Sequence, residues 1–325
     1  MNSSPQTING LMRHLRNKNN INISGSKEKH QLKTYGYYHG YKGYRFFRTV
    51  NNQLSYSSFS EVAAVIEYDN NIKALLYPYL MFVETAVKNI VCNDSIIDLK
   101  YSTFEHLYTE RMKDNLNRAD LQLKRLKLRN TVYSRLSERY NHEKNQENKM
   151  VRHFFDRGED APLWVVFEIF YLTDLASFFE CLDVPQKELI LGNLNLLDSS
   201  VDTDRNLLSI ILYSIKPLRN AVAHNAVVFD ARFKDRAISP ILKKWVERET
   251  GILNISLYSL IDYIIVLCCL LTHIEGSTVK AKRLLSLYKK ENLQLSNSVN
   301  TQVFDVIVPP NVQDKITKLE QYLCS

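Results

Sequence analysis

Apolar residues recur at intervals of three and four over most of the chain, and strand-like alternation is rare. Ser58-Phe59-Ser60-Glu61 has the spacing of a capping box, with Ser58 as cap and Glu61 reaching back, so a helix is expected to open there. It runs through EVAAVIEYDNNIKALLY to Pro78, which is expected to end or kink it. Beyond the proline, Tyr79, Leu80, Val83, Ala86, Val87, Ile90 and Val91 form one apolar stripe, flanked by Glu84 and Lys88 one turn apart. The pattern returns in residues 161–182, opened by Pro162, and in LLSIILYSIK ahead of Pro217. ISLYSLIDYIIVLCCLLTHI, residues 255–274, is long enough to cross a bilayer. It carries Asp262 and His273 and lacks a flanking Lys/Arg cluster, which favours a buried core helix and no membrane contact. The expected fold is all-α, a helical bundle with few strands.

Three stretches depart from that pattern. Residues 1–30 are polar and are expected to form a flexible N-terminal segment ahead of a helical domain over 31–275. Within that domain, residues about 111–157 form a charged helical insertion carrying Lys124, Arg125, Lys127, Arg129, Arg135 and Arg139. On a helix these spread around much of the circumference, which suits an exposed basic arm following a phosphate backbone. A solvated helical face is the plainer reading. QLKTYGYYHGYKGYRFF, residues 31–47, alternates aromatic rings with glycine, Lys42 and Arg45. Either the rings and cations face RNA, or a glycine-bearing turn packs its aromatics on neighbouring helices. Its glycines form no GxGxxG, which excludes a dinucleotide loop. Asn51-Asn52 is read as the turn of a short hairpin. Residues 276–325, a C-terminal extension, could close the bundle or meet a partner.

Composition narrows this picture slightly. With 45% apolar residues, nine Gly and eight Pro, the chain has the make-up of a globular helical protein. A formal charge of +7 permits a polyanionic partner without naming one. Cys92, Cys181, Cys268, Cys269 and Cys324 show neither CxxC nor Cys/His ligand spacing, so no disulfide framework and no metal site is expected. The polar N-terminus lacks the apolar run of a signal peptide, and the expected location is cytoplasmic.

Candidate chemistry gathers in KPLRNAVAHNAVVFD, residues 216–230. Pro217 suits the first turn of a new helix, which would leave the amides of Arg219 and Asn220 at a positive helix end, a seat for phosphate. Asn220 and His224, four apart, share a face, whereas Arg219 is offset from His224 by about 140° at 100° per residue. One copy therefore does not easily aim all three at one atom; two copies about a twofold axis do.

Arg219-Asn220-Ala221-Val222-Ala223-His224 resembles the Arg-to-His signature of the HEPN superfamily. Further stretches resemble, in order, the Abi-like abortive-infection proteins of the AbiD/AbiF type. They are Tyr37-Tyr38 through Gly43-Tyr44, Ser58-Phe59, Tyr68-Asp69-Asn70-Asn71-Ile72-Lys73, Val83-Glu84-Thr85-Ala86-Val87-Lys88, Pro162-Leu163-Trp164 into Phe167-Glu168, and Leu218-Arg219-Asn220 through His224-Asn225. Together they span roughly residues 30–230. Two positions depart: Gly40-Tyr41-Lys42 stands where the family usually has Arg-Leu-Ser, and Lys88 where it usually has Arg. The second keeps the charge but loses the two-pronged grip of a guanidinium.

The resemblance implies an all-α, metal-independent endoribonuclease without cofactors, active as a homodimer, in an antiphage abortive-infection or toxin–antitoxin system. RNA brings its own nucleophile, the 2′-hydroxyl, so the enzyme needs proton transfer and charge stabilisation. His224 would move the proton. Arg219 would bind the phosphate. Asn220 would orient the imidazole or phosphate, Glu84 would face the Arg/His helix and fix its polar groups, and Asn225 would add a hydrogen bond. The expected products are a 2′,3′-cyclic phosphate and a 5′-hydroxyl, with DNA spared. An inhibitor, in some relatives a small structured RNA, is implied. A non-catalytic RNA-binding protein and a protein-interaction module remain open on the same residues.

Overall fold

The computed structural model describes residues 7–96, 103–112, 119–147, 149–234 and 236–324. α1 (Ile8–Asn19) and α2 (Gly25–Tyr35) lead into a π-helical turn, Gly36–Lys42. The segment read from sequence as flexible is thus largely helical over residues 8–30. Their polar composition hides Met12, Leu15, Ile21 and Ile23, which are buried against the core. Within the turn a Cβ on Gly40 would lie 2.9 Å from the Tyr35 carbonyl, so only glycine closes it. Tyr41 and Tyr44 pack inward, whereas Tyr38 stays 72% exposed. The Asn51-Asn52 turn exists: Phe47 N donates to Asn52 O and Leu54 N to Arg45 O, and Phe46 and Gln53 form an antiparallel bridge. Among the described residues such isolated bridges are the sole strand-like pairings, and the fold is all-α.

α3 (Phe59–Ile96) is the axis of the bundle. Its expected cap forms with one shift. Glu61 N donates to Ser58 Oγ at 3.4 Å, but the Glu61 carboxylate accepts from Ser57 N at 2.6 Å and from Asn300 N at 2.9 Å. Pro78 does not end the helix. A proline in a helix interior costs about 3 kcal/mol. The buried stripe on both sides of it, Ile72 and Leu76 before and Leu80, Val83 and Val87 after, offsets that cost.

Beyond α4 (Phe104–Glu110), the charged insertion becomes α5 (Ala119–His142), followed by a single 3₁₀ turn at Glu143–Asn145. α5 is docked rather than extended as an arm: Leu128, Val132 and Leu136 are buried, and the helix packs on α7 (Leu163–Ile169) and α8 (Leu172–Cys181). Short α6 (Met150–Phe155) precedes that pair. α9 (Val184–Asn193) then leads to α10 (Leu207–Ala223), which packs on α8 and α3. Pro217 lies inside α10 and starts no new helix, because the buried row Ile211, Leu212, Ile215, Leu218 and Val222 runs straight past it.

α11 (Pro240–Thr250) leads to α12 (Leu260–Glu275), the segment that is apolar enough in sequence to suggest a bilayer. Every residue from Leu260 to Leu271 is buried inside the protein. Asp262 in its first turn accepts from Lys315 Nζ at 2.6 Å and from the amides of Ser256 and Leu257. α13 (Val279–Ser296), α14 (Thr301–Ile307) and α15 (Pro310–Cys324) share the same core, so this part of the chain closes the bundle. α13 lies against α3, with Tyr68 donating to Asn292 Oδ1 at 2.7 Å.

Two outcomes follow from this packing. A chain stopping at Glu275 uncovers the α13 side of α3 and α12 and is expected to lose cooperative urea unfolding, followed by circular dichroism; a full-length-like transition would make the tail an independent module. Lys315→Ala leaves Asp262 buried without its cation and is expected to lower stability by about 3 kcal/mol in the same assay.

Candidate functional site

Glu84 lies on the side of α3 that meets α10, and its buried carboxylate gathers two cations. Oε2 accepts from Arg219 Nε at 2.8 Å, and Oε1 lies 3.3 Å from Lys88 Nζ. Arg219 Nη1 also donates to Asn220 Oδ1 at 3.4 Å. Arg219, Glu84 and Lys88 line a cleft of about 700 Å³ that is also lined by Arg135, Glu138, Arg139 and His142 of α5 and by Glu168 and Tyr171. Three carboxylates in this cleft thus face four permanent cations and one histidine, a modest positive balance.

α5 delivers its groups to the cleft under restraint. Arg135 lies 2.8 Å from Asp174 as an ion pair without hydrogen-bond alignment, and its guanidinium stacks 3.7 Å from the centre of the Tyr171 ring. Arg139 Nε donates to Glu143 Oε1 at 2.8 Å, and the other oxygen of that fully buried carboxylate accepts from Val151 N and Arg152 N at the start of α6. His142 Nδ1 lies 3.0 Å from the Gln146 amide nitrogen, which leaves Nε2 available. The remaining basic residues of α5 lie outside the cleft. Arg125 is buried, donates to Tyr108 O at 2.7 Å and stacks on its ring at 3.9 Å. Lys124 pairs with Glu180 at 2.8 Å and Arg129 with Glu105 at 2.7 Å, whereas Lys127 is exposed. Most of the positive charge expected to follow a nucleic-acid backbone is therefore met by carboxylates of neighbouring helices. Lys42 sits over the Tyr37 and Tyr38 rings at 5.3 and 4.7 Å. Arg45 beside Tyr41 opposes the rise that burial imposes on that phenol's pKa. Neither lines the cleft.

His224 closes α10 as its C-cap, exposed, with its amide donating to Asn220 O at 2.9 Å. It does not line the Arg219 cleft. The phosphate seat expected from Pro217 does not form: the Arg219 and Asn220 amides lie within the helix, near its carbonyl end rather than its amide end. Asn225 follows in a left-handed conformation, φ 55°, and its side-chain oxygen accepts from Lys73 Nζ at 2.6 Å. Lys73 pairs in turn with Asp69 at 3.1 Å. One Asp69 oxygen accepts from the amides of Val228 and Phe229 at 2.8 and 2.7 Å, and the other from Tyr44 Oη at 2.8 Å. The Tyr44 phenol is pushed far up by burial and then by the Asp69 charge, so it stays a donor.

A family model described as Abi-like protein matches residues 30–230, more than half of the 325-residue chain. The protein belongs to the Abi-like family. No curated protein and no solved structure matches it. Membership connects the Abi-like chain with abortive-infection defence. The match takes in Asp69, Glu84, His142, Arg219 and His224 and stops before α11, although the last five helices share the core.

Sequence reasoning placed Asp69 and Lys73 in a family-like stretch without giving them a role, and passed over His142. A spacing of four places Asp69 and Lys73 on one helix face, but only the tertiary structure shows that Tyr44 and the 225–229 turn close over them. His142 gave no local signal at all. For the Abi-like chain, Asp69→Ala is expected to cost about 2–4 kcal/mol and to speed exchange of the Val228 and Phe229 amides beyond what the global loss explains. Unchanged protection of those two amides would show that Asp69 does not hold the turn after His224.

Proposed function

We propose that this Abi-like protein is a metal-independent endoribonuclease of HEPN type, acting as a homodimer in abortive-infection or toxin–antitoxin defence. The observation that carries the reading is the Glu84-anchored Arg219, presented with Lys88 to a cleft that also holds Arg135, Arg139 and His142. Such a cleft suits a phosphodiester, because fixed cations stabilise charge growing on the non-bridging oxygens without reorganising. In the reaction the 2′-hydroxyl oxygen attacks phosphorus and the bond from phosphorus to the 5′-oxygen breaks. A base takes the hydroxyl proton and an acid returns one to the leaving oxygen, giving a 2′,3′-cyclic phosphate and a 5′-hydroxyl. Arg219 and Lys88 would hold the phosphate, Glu84 would fix both cations, and Asn220 would steady the Arg219 fork.

His224 can enter this scheme only through the dimer. It is exposed at the end of α10, outside the cleft of its own chain, so a second copy would have to bring it to the first copy's Arg219. Within one chain the histidine that shares the cleft is His142. The exposed His224 also favours a second reading, in which the protein binds RNA or a small structured RNA without cutting it and Arg219 serves as a phosphate anchor.

The test compares wild type with Arg219→Ala, His224→Ala and His142→Ala for growth arrest and for cleavage of RNA in EDTA. The endoribonuclease reading expects Arg219→Ala and His224→Ala each to lower cleavage by about 10²- to 10⁴-fold. RNA carrying a single 2′-deoxy nucleotide should resist at that position. Loss with His142→Ala and not with His224→Ala would move the proton transfer into a single chain. RNA affinity without cleavage in the wild type would leave the binding reading standing alone.

A further inference from the structure

α10 divides two cavities, since Arg219 and Asn220 are successive residues about 100° apart around the helix. Arg219 faces the cleft described above. Asn220 lines the other, a pocket of about 570 Å³ between α10 and the chain that returns from it toward α11. Lys216, Lys234 and Arg236 line this second pocket, and among the described residues no carboxylate does. That separates it from the Arg219 cleft, where carboxylates accompany the cations.

The three cations are held differently. Lys234 is fixed: its ammonium donates to the Ser256 carbonyl and lies 3.4 Å from the centre of the Tyr258 ring. Burial, and then the charge of Arg48, pull its pKa below the usual lysine value, with the charge of Asp262 opposing them. Lys216 and Arg236 have no hydrogen-bond or ion-pair partner among the described residues. Positive charge gathered in a concave site is stabilised by binding an anion. The rest of the lining limits which anion. Ile210, Pro217 and Leu257 offer apolar walls and Ser214 a hydroxyl, in a volume typical of small-ligand sites. A bare ion would leave those walls uncovered, whereas a base and ribose would fill them.

We propose that this pocket binds a nucleoside phosphate, its phosphate held by Lys216, Lys234 and Arg236 and its base and sugar against the apolar wall beside Asn220. The same chemistry has two sources, a free mononucleotide or one residue of an RNA strand crossing α10. The strand version rests on the RNA-binding side of the proposed function; the free-nucleotide version needs no part of it.

The experiment uses the full-length chain with Arg219→Ala, so that cleavage cannot interfere and a failed nuclease assignment does not affect the result. AMP, adenosine, inorganic phosphate and a short 2′-O-methyl oligonucleotide are titrated by calorimetry, then titrated again after adding Lys216→Ala and Arg236→Ala. Both are partly or fully exposed, and circular dichroism checks that the fold is kept. AMP is expected to bind at least tenfold more tightly than adenosine or phosphate, and the added pair to weaken it by about 10- to 100-fold, as loss of hydrogen bonds to a charged group predicts. If the oligonucleotide alone responds, by a similar factor, the strand is the source. Absence of binding by both AMP and the oligonucleotide, or a change below twofold on adding the pair, overturns the proposal.

Discussion

The carboxylate of Asp69 has no exposed surface, and the four groups that satisfy it come from three parts of the chain. A buried charge of this kind persists only when every lone pair is engaged, since an unpaired ion in a protein interior costs several kcal/mol. Tyr44 brings the aromatic turn, Lys73 is its own neighbour on α3, and Val228 and Phe229 bring the chain that leaves α10. The turn carrying His224 and Asn225 is thereby fixed relative to α3. Because Glu84 stands farther along that same helix, the position of Arg219 is fixed by the same frame.

Charge compensation is the second rule of the molecule. Arg125, Arg129, Arg135 and Arg139 look like a nucleic-acid-binding series in sequence, yet each is pinned to a carbonyl, a carboxylate or a ring of an adjacent helix. Their stems pack while their heads are satisfied, as long cationic side chains commonly do. Beside α10, cations line both flanking cavities: Arg219 and Lys88, held by Glu84, on one side, and Lys216, Lys234 and Arg236 on the other. A phosphate-bearing ligand in the Arg219 cleft would meet cations of α3, α5 and α10 together, whereas the rest of the α5 series lies outside it.

Proline placement shows how packing overrules local preference. Pro78 and Pro217 each sit within a helix whose buried stripe is continuous on both sides. Breaking either helix would expose several apolar side chains, each worth about 1.5–3 kcal/mol when buried, against one lost hydrogen bond and a local clash. For α10 this has a direct consequence for the site. Arg219, Asn220 and His224 occupy the carbonyl end of a long helix, so its amides offer no phosphate seat there and a phosphate would have to be held by side chains.

The sequence by itself determined the helical class, the start of α3 near Ser58, the burial of Leu260–Leu271, the Asn51-Asn52 turn and the family-like stretches that include Arg219, Asn220 and His224. Those are properties of residues within a few turns of each other, where periodicity and capping act. Tertiary structure decided the rest: the pairing of Glu84 with Arg219, 135 positions away, the docking of α5, the incorporation of residues 276–324 into the core, and the separation of Arg219 and Asn220 into different cavities. Charge pairing and cavity shape depend on which helices lie side by side, and that is set by the summed burial of many apolar faces, a quantity no single stretch of chain contains.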